Sequence, residues 1–312
     1  MKPNRAQPHP PPSSLERTQS RPGCRNGGFT AIELAAVMVM VAFITLTFIP
    51  TLAKNQPNSR AIRCQNNLRQ LAAAWNTYAA DYSDRVANSF GGDETLVGVL
   101  QGRFENWINN VMTWGATAAT SDRSNTNIAW VTNSVFGPYL GGAVDAYRCP
   151  SDKYLSPVQV AGGWPTRLRS VSMNSVFGRF STGLDTTANG LNWAFPQYAQ
   201  YLKRTSVRKP MKTLVFIEEH PDSINDGYFV NNPSASSWQD IPGSFHNGGC
   251  SFGFADGHAS LNRWQSPTSW YRVQFSYPAT KPFDGPGRTD FAWYLSRVGY
   301  VDAKTGQPAF GY

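Results

Sequence analysis

The chain lacks most of the local patterns that announce chemistry. No C-x-x-C occurs among its four cysteines, Cys24, Cys64, Cys149 and Cys250, which argues against a zinc cluster. No G-x-S-x-G nucleophile elbow, phosphate-binding loop or dinucleotide fingerprint is present. Ser244 and His246 stand two apart on one segment, which does not define a catalytic triad. Charged residues make up only 15% of the 312, and no block of Lys or Arg occurs beyond residue 28. The formal charge of +8 is therefore too diffuse to argue for nucleic acid as a partner. No internal repeat is found, and the length allows one large domain or two small ones.

What the chain does have is one long apolar run. Leu34 to Ile49 carry no charge, and the wider stretch Phe29–Ala53 contains only Glu33. At ~1.5 Å per residue a helix over that stretch reaches roughly 37 Å, enough to cross a bilayer with some tilt. A secretory signal has a shorter apolar core followed by its cleavage site, so this run reads as a retained anchor. Before it lie Lys2, Arg5, Arg17, Arg21 and Arg25 against the single acid Glu16, in a Pro- and Ser-rich leader over residues 1–28. A basic flank keeps its side of a membrane helix in the cytoplasm and places everything after Ala53 outside. A lone acid inside hydrocarbon is costly and needs a partner or a purpose, which singles out Glu33.

Residues 54–84 read as a second, exposed stretch of helix that packs on a head. Pro50 and Pro57 bracket its start, where each removes a helical hydrogen bond and bends the chain. Leu68, Leu71, Trp75, Tyr78 and Tyr82 recur at alternating steps of three and four, a single apolar stripe suited to core packing. Beyond Asp84 the helical period fades into Gly, Asn, Ser, Thr and aromatic residues. Strands are expected over Thr213–Ile217, Gly227–Val230 and Cys250–Phe254, and residues 101–135 read as an insertion loop with one short helix. Asp256-Gly257 is a two-residue turn signal whose central positions need positive φ. It pairs Ala255 with His258, Phe254 with Ala259 and Phe252 with Leu261, leaving His258 exposed. The expected fold class is α+β: a long, kinked N-terminal helix, membrane-anchored in its first half, on an antiparallel β-sheet head over 85–312.

The octapeptide Gly27-Gly28-Phe29-Thr30-Ala31-Ile32-Glu33-Leu34 resembles the processing site of type IV prepilins and type II secretion pseudopilins. The resemblance implies cleavage after Gly28 by a prepilin peptidase, N-methylation of Phe29, and an assembly role for Glu33 at the fifth mature position, with Pro50 at the twenty-second. A second resemblance covers residues 27 to 258. His246, nine residues, then Asp256-Gly257 is similar to the H-x9-D-G signature of a large prepilin-like family. Cys64–Leu71, the Cys149-Pro150-Ser151-Asp152 element, Ser170–Asn174 and Glu218–Gly227 fit the same family. Three cysteines remain after residue 28, so at most one pair can form, and their spacing does not choose it. The family resemblance implies Cys64 with Cys149, leaving Cys250 free on the hairpin's apolar face. A loop that long stabilises by roughly 4–5 kcal/mol in the chain-entropy model.

Two chemical alternatives arise. His246 and Asp256 lie at most roughly 33 Å apart along extended chain, and a strand between them keeps them from forming a dyad. Glu218, Glu219, His220, Asp222, Asn225 and Asp226 form the densest run of potential ligands, and hard oxygens on a loop suit calcium, here at Asp222, Asn225 and Asp226. The loop lacks EF-hand spacing, and Asp222 and Asn225 can instead cap turns. Calcium is thus the one cofactor the sequence offers. The expected role is a non-catalytic pilin- or pseudopilin-like subunit of the bacterial inner membrane, single-pass, with its head in the periplasm or on an extracellular filament. The implied partners are prepilin peptidase, the inner-membrane assembly platform, other pilin-like subunits and membrane lipid. The alternative is a membrane-anchored periplasmic binding protein that does not polymerise.

Overall fold

The computed structural model describes residues 29–181 and 190–312, with the side chains of 46–59 left outside the description. Gly28 and the rest of the leader lie outside the described residues. The chain divides into two compact units, Met1–Leu52 and Ala53–Tyr312.

Helix α1 runs over Ala31–Asp81, through both Pro50 and Pro57. Its start is a reciprocal cap. The Thr30 backbone N–H donates to Glu33 Oε2 at 2.8 Å, and the Glu33 N–H donates back to Thr30 Oγ1 at 3.3 Å. This is the capping-box arrangement, with Glu at the third helical position. Phe29 to Thr45 are exposed throughout. Among the described residues no helix is long and apolar enough to cross a membrane. The stretch read as a span, 29–53, is described with its side chains only as far as Thr45.

From Cys64 onward the same helix buries one face. Cys64, Leu68, Leu71, Ala72, Trp75 and Ala79 are fully buried, the 3–4 spacing that the sequence shows. Tyr82 departs from it. The helix ends at Asp81, Ser83 and Asp84 take positive φ, and Tyr82 is exposed, stacked on Tyr78 at 4.4 Å.

The head's sheet comprises β1 (Val171–Asn174), β2 (Leu214–Glu218), β3 (Tyr228–Phe229), β4 (Gly249–Phe254) and β5 (Ala259–Arg263), in the order β3-β1-β2-β4-β5. It is mixed rather than antiparallel, because β3 pairs parallel with β1 at one edge. The three central strands are buried along their whole length. Gly253 lets α1 approach β4, since a Cβ there would sit 3.3 Å from the Leu68 carbonyl oxygen. Phe252 points the other way, against Trp293 of α6 (Gly285–Val298). The fold is α+β, with a helix on each face of the sheet.

The β4–β5 hairpin forms, but one residue out of the expected register. Phe252 pairs with Ser260 and Gly253 with Ala259. Of the turn pair only Gly257 has positive φ, at 97°, and the loop is three residues rather than two. The Phe254 N–H donates to the His258 carbonyl, and the Gly257 N–H donates to the Phe254 carbonyl. This is the turn-plus-bulge solution, in which a single left-handed residue suffices. The slip moves every β5 side chain to the other face. His258 is half-exposed, stacked on Phe254, with Nδ1 2.6 Å from Asp256 Oδ1.

Residues 101–135 are more than a surface loop with one short helix. Helix α2 (Gly92–Leu100) precedes them, and short helices α3 (Thr120–Arg123) and α4 (Ala129–Thr132) lie within them. Asn106 to Met112 are buried, and Trp107 Nε1 donates to the Gly227 carbonyl at 3.1 Å. Gly227 is required for that approach, because a Cβ would stand 2.5 Å from Ile108. Helix α5 (Pro157–Ala161) is a single capped turn.

Candidate functional site

Four ligand-type side chains meet inside the head: Cys64, Cys149, Glu218 and His246. Their donor atoms all lie within 4.8 Å of one another, and all four residues are buried. Each arrives on a different element. Cys64 is the first fully buried position among the described side chains of α1. Glu218 ends β2, one residue past the apolar run that the sequence marks as a strand. Cys149 follows a 3-10 turn over Val144–Tyr147 that α1 holds, with Asn67 Nδ2 donating to the Asp145 and Arg148 carbonyls at 2.8 and 2.9 Å. His246 opens a tight reversal. Asn247 and Gly248 both have positive φ, and His246 and Gly249 exchange backbone hydrogen bonds. That is the two-residue turn chemistry expected further along at Asp256-Gly257.

The H-x9-D-G spacing thus measures one reversal plus one strand. His246 stands at one end of β4 and Asp256-Gly257 at the other, so the two do not form a dyad. His246 pairs with Glu218 and Asp256 with His258. Asp256 also accepts the His258 backbone N–H, serving its own turn.

Glu218 is the hub. Its Oε1 accepts from His246 Nε2 at 2.9 Å and from the Cys64 thiol at 2.6 Å, while Oε2 accepts the Ser251 N–H at 2.5 Å. Cys149 Sγ lies 3.5 Å from His246 Nε2 and receives the Ser151 N–H at 3.4 Å. Burial disfavours the charged carboxylate, but the hydrogen bond and charge of His246 outweigh it and hold Glu218 below its usual range. Burial likewise works against the imidazolium, yet the contacts to Cys149 and Glu218 push His246 up to about 10. The Cys64 thiol is raised, first by burial.

The expected Cys64–Cys149 disulfide is not formed. All three described cysteines are free and buried. The two sulfurs do converge, within 4.8 Å of each other and of the Glu218 and His246 donor atoms, and the Cys64 proton is engaged by the carboxylate. Cys250 is free as well, but not for the implied reason, since no pair among the described cysteines takes the other two. The absence of C-x-x-C argued against a metal cluster only for ligands close in sequence; here they are gathered from four separate segments. The signal available in the sequence was Glu218, an acid closing the apolar run Leu214–Ile217.

The calcium candidates are otherwise employed. Both oxygens of Asp222 take backbone N–H groups, from Gln274 at 2.6 Å and Phe275 at 2.9 Å. Asp226 Oδ1 accepts the Tyr228 N–H at 2.8 Å, and the Asn225 carbonyl accepts from Met112. Among the described residues the gathered group of metal-type ligands does not include them. Glu219 is a different case. It is buried beside Arg169, with Ser223 Oγ donating to it at 2.9 Å. Burial dominates and raises its carboxyl from 4.5 to about 8, and raises Asp226 to about 6.

A raised carboxyl lets the folded state keep a proton that the unfolded chain has released. Its contribution to stability therefore falls as pH rises from about 4.5 to about 8 and is level above that. Glu219→Gln is expected to stabilise the head at pH 8 by about 1–3 kcal/mol while changing little at pH 4.5. Thermal melts of both proteins at the two pH values check this; an unchanged pH slope contradicts it. A slope of the same sign stays, from Asp226, Asp240 and Asp152, whose carboxyls burial also raises.

Comparison of the chain with protein-family models, with curated proteins and with solved structures finds no match in any of the three.

Proposed function

We propose that this chain is a pilin- or pseudopilin-like subunit of the bacterial inner membrane, cut after Gly28, methylated at Phe29, and assembled through its N-terminal helix in a type II secretion or type IV pilus-like system. The observation that carries this reading is the division of labour along α1. Phe29 to Thr45 expose an almost wholly apolar surface, with Phe29, Ile32 and Phe43 among its largest side chains, whereas one face of Cys64 to Ala79 is core of the head. A helix of that kind has one half built for lipid or for neighbouring copies and one half built to carry a folded domain. Pro50 and Pro57 lie between the halves and are its natural bending points. Prepilin peptidase, the assembly platform, membrane lipid and other pilin-like subunits are the partners this role requires, and no catalysis is assigned to it.

Glu33 holds the centre of the reading. Its carboxylate is satisfied by Thr30 at the helix start, so an acid in the apolar run has a local partner before any assembly. In a filament the amine of a neighbouring Phe29 would compete for the same carboxylate. Glu33→Ala is expected to leave membrane insertion intact and to abolish filament assembly or the secretion that depends on it. Membrane fractionation beside electron microscopy of sheared filaments reads both. Unimpaired assembly contradicts the proposal.

The second reading, an anchored binding protein, is favoured by a groove of about 760 Å³ on the head, lined by Tyr78, Tyr82, Arg85, Glu105, Tyr139 and Lys203. Aromatic faces beside charges of both signs suit a polar ligand. The Glu33 variant separates the two readings, since an anchored binder has no need of that carboxylate for assembly.

A further inference from the structure

We propose that Cys64, Cys149, Glu218 and His246 hold one structural zinc ion that clamps α1 to the head. The set supplies two thiolates, one imidazole and one carboxylate, a donor mix suited to a borderline-soft, four-coordinate ion. The distances fit. A tetrahedral zinc with ligand bonds of about 2.0–2.3 Å spaces its donors roughly 3.3–3.8 Å apart. Cys149 Sγ and His246 Nε2 stand at 3.5 Å, and no pair of donor atoms exceeds 4.8 Å. The two shorter edges, at 2.6 and 2.9 Å, are the hydrogen bonds from Cys64 and His246 to Glu218 Oε1. The ion replaces those bonds, and the edges open by under about 1.5 Å. Loading sends the two thiol protons and the imidazole proton that faces Glu218 to solvent, since all these ligands bind deprotonated.

The surroundings are built for the ligands. Glu218 keeps Oε2 on the Ser251 N–H, which leaves Oε1 as a single directed donor. The Ser151 N–H points at Cys149 Sγ, and Ser170 Oγ accepts the Cys149 N–H at 2.6 Å. The Asn247-Gly248 reversal fixes the backbone from which His246 projects. Supports of this kind orient ligands and tune them. All four residues are at most 5% exposed, leaving no open position for water or substrate, so the site is structural rather than catalytic. It joins α1, the turn after Val144–Tyr147, β2 and the start of β4 at one point, a crosslink of four segments where a disulfide would join two. The inference does not depend on polymerisation. It stands or falls in a protein that never forms a filament.

The test uses the full chain, purified in detergent from the membrane fraction. Elemental analysis is expected to find about one zinc per chain, as a single four-ligand site holds. Cys149→Ser and His246→Ala are expected to lose it, and Cys250→Ser, outside the cluster, to keep it. A strong chelator should lower the melting temperature by roughly 10 °C, a loss that re-added zinc restores. Because the ligand variants can fail to fold, the wild-type chain reloaded with Co²⁺ supplies a second readout, the visible bands of a tetrahedral ion and a thiolate-to-cobalt charge-transfer band. A wild-type chain that melts cooperatively yet takes up neither metal overturns the proposal. So does peptide mapping that finds Cys64 and Cys149 oxidised to each other.

Discussion

Glu218→Ala is expected to destabilise the metal-free head by about 3–5 kcal/mol, the cost of removing one partner from a buried pair. The substitution leaves three donors facing a void: His246 Nε2, the Cys64 thiol and the Ser251 N–H. Each is buried, so water cannot replace the lost acceptor. The pH dependence gives a second check. Glu218 is held below its usual 4.5, so its contribution is full above that value and lost as pH falls through the depressed one. His246 is raised from 6.5 to about 10, so its contribution is full below 6.5 and lost as pH climbs toward 10. Wild type in chelator should therefore be most stable between about pH 4.5 and 6.5, and the variant should lack both shoulders. Glu218→Gln keeps an acceptor and the shape, and should cost less. Equal stability of wild type and the alanine variant across that range contradicts the hub role.

Trp75→Ala is expected to cost about 3–5 kcal/mol, a large-to-small change at a core position that cannot collapse. Trp75 is fully buried on α1 and meets Phe177 edge-on at 5.3 Å. For a head of this size the melting temperature should drop by roughly 10 °C. The informative control lies on the same helix. Val39 is 68% exposed, and Val39→Ala should leave the head within about 0.5 kcal/mol of wild type. The pair tests whether the two stretches of α1 serve different surroundings. If Trp75→Ala melts like wild type, α1 is not part of the head's core.

How much of this was legible follows from how local each signal is. Leu68, Leu71 and Trp75 repeat at helical spacing on a face that is half polar, so the buried side shows in the sequence. β2 is an apolar run and β4 an alternation of Cys, Phe and Phe with Gly and Ser, each beside turn residues, and they also show. β1 does alternate, Val-Ser-Met-Asn, but over only four residues, and its polar side chains are buried along with its apolar ones, so the pattern is too short to mark a strand or to tell which face is core. Helix α6 carries its own sequence signal. Phe291, Tyr294, Leu295 and Val298 recur at steps of three, one and three, Asp284 caps the start, and Gly299 stops it with φ of 86°. The opening Gly-Pro-Gly hides it among turn residues. The hairpin's location was legible and its register was not, because Asp-Gly fits two- and three-residue loops alike. The four-ligand cluster is the least local feature of all. Residues 64, 149, 218 and 246 are brought together only by the completed sheet and the helix packed on it.

The prepilin-like reading makes one demand that no folded head can meet by itself: the chain in the membrane must begin at residue 29. Intact-mass and N-terminal peptide analysis of the membrane-bound protein measures this directly. The account predicts a chain starting at N-methylated Phe29, with residues 1–28 removed and the apolar run retained. A mature chain that starts within or after the apolar run, or one that keeps residues 1–28, contradicts it.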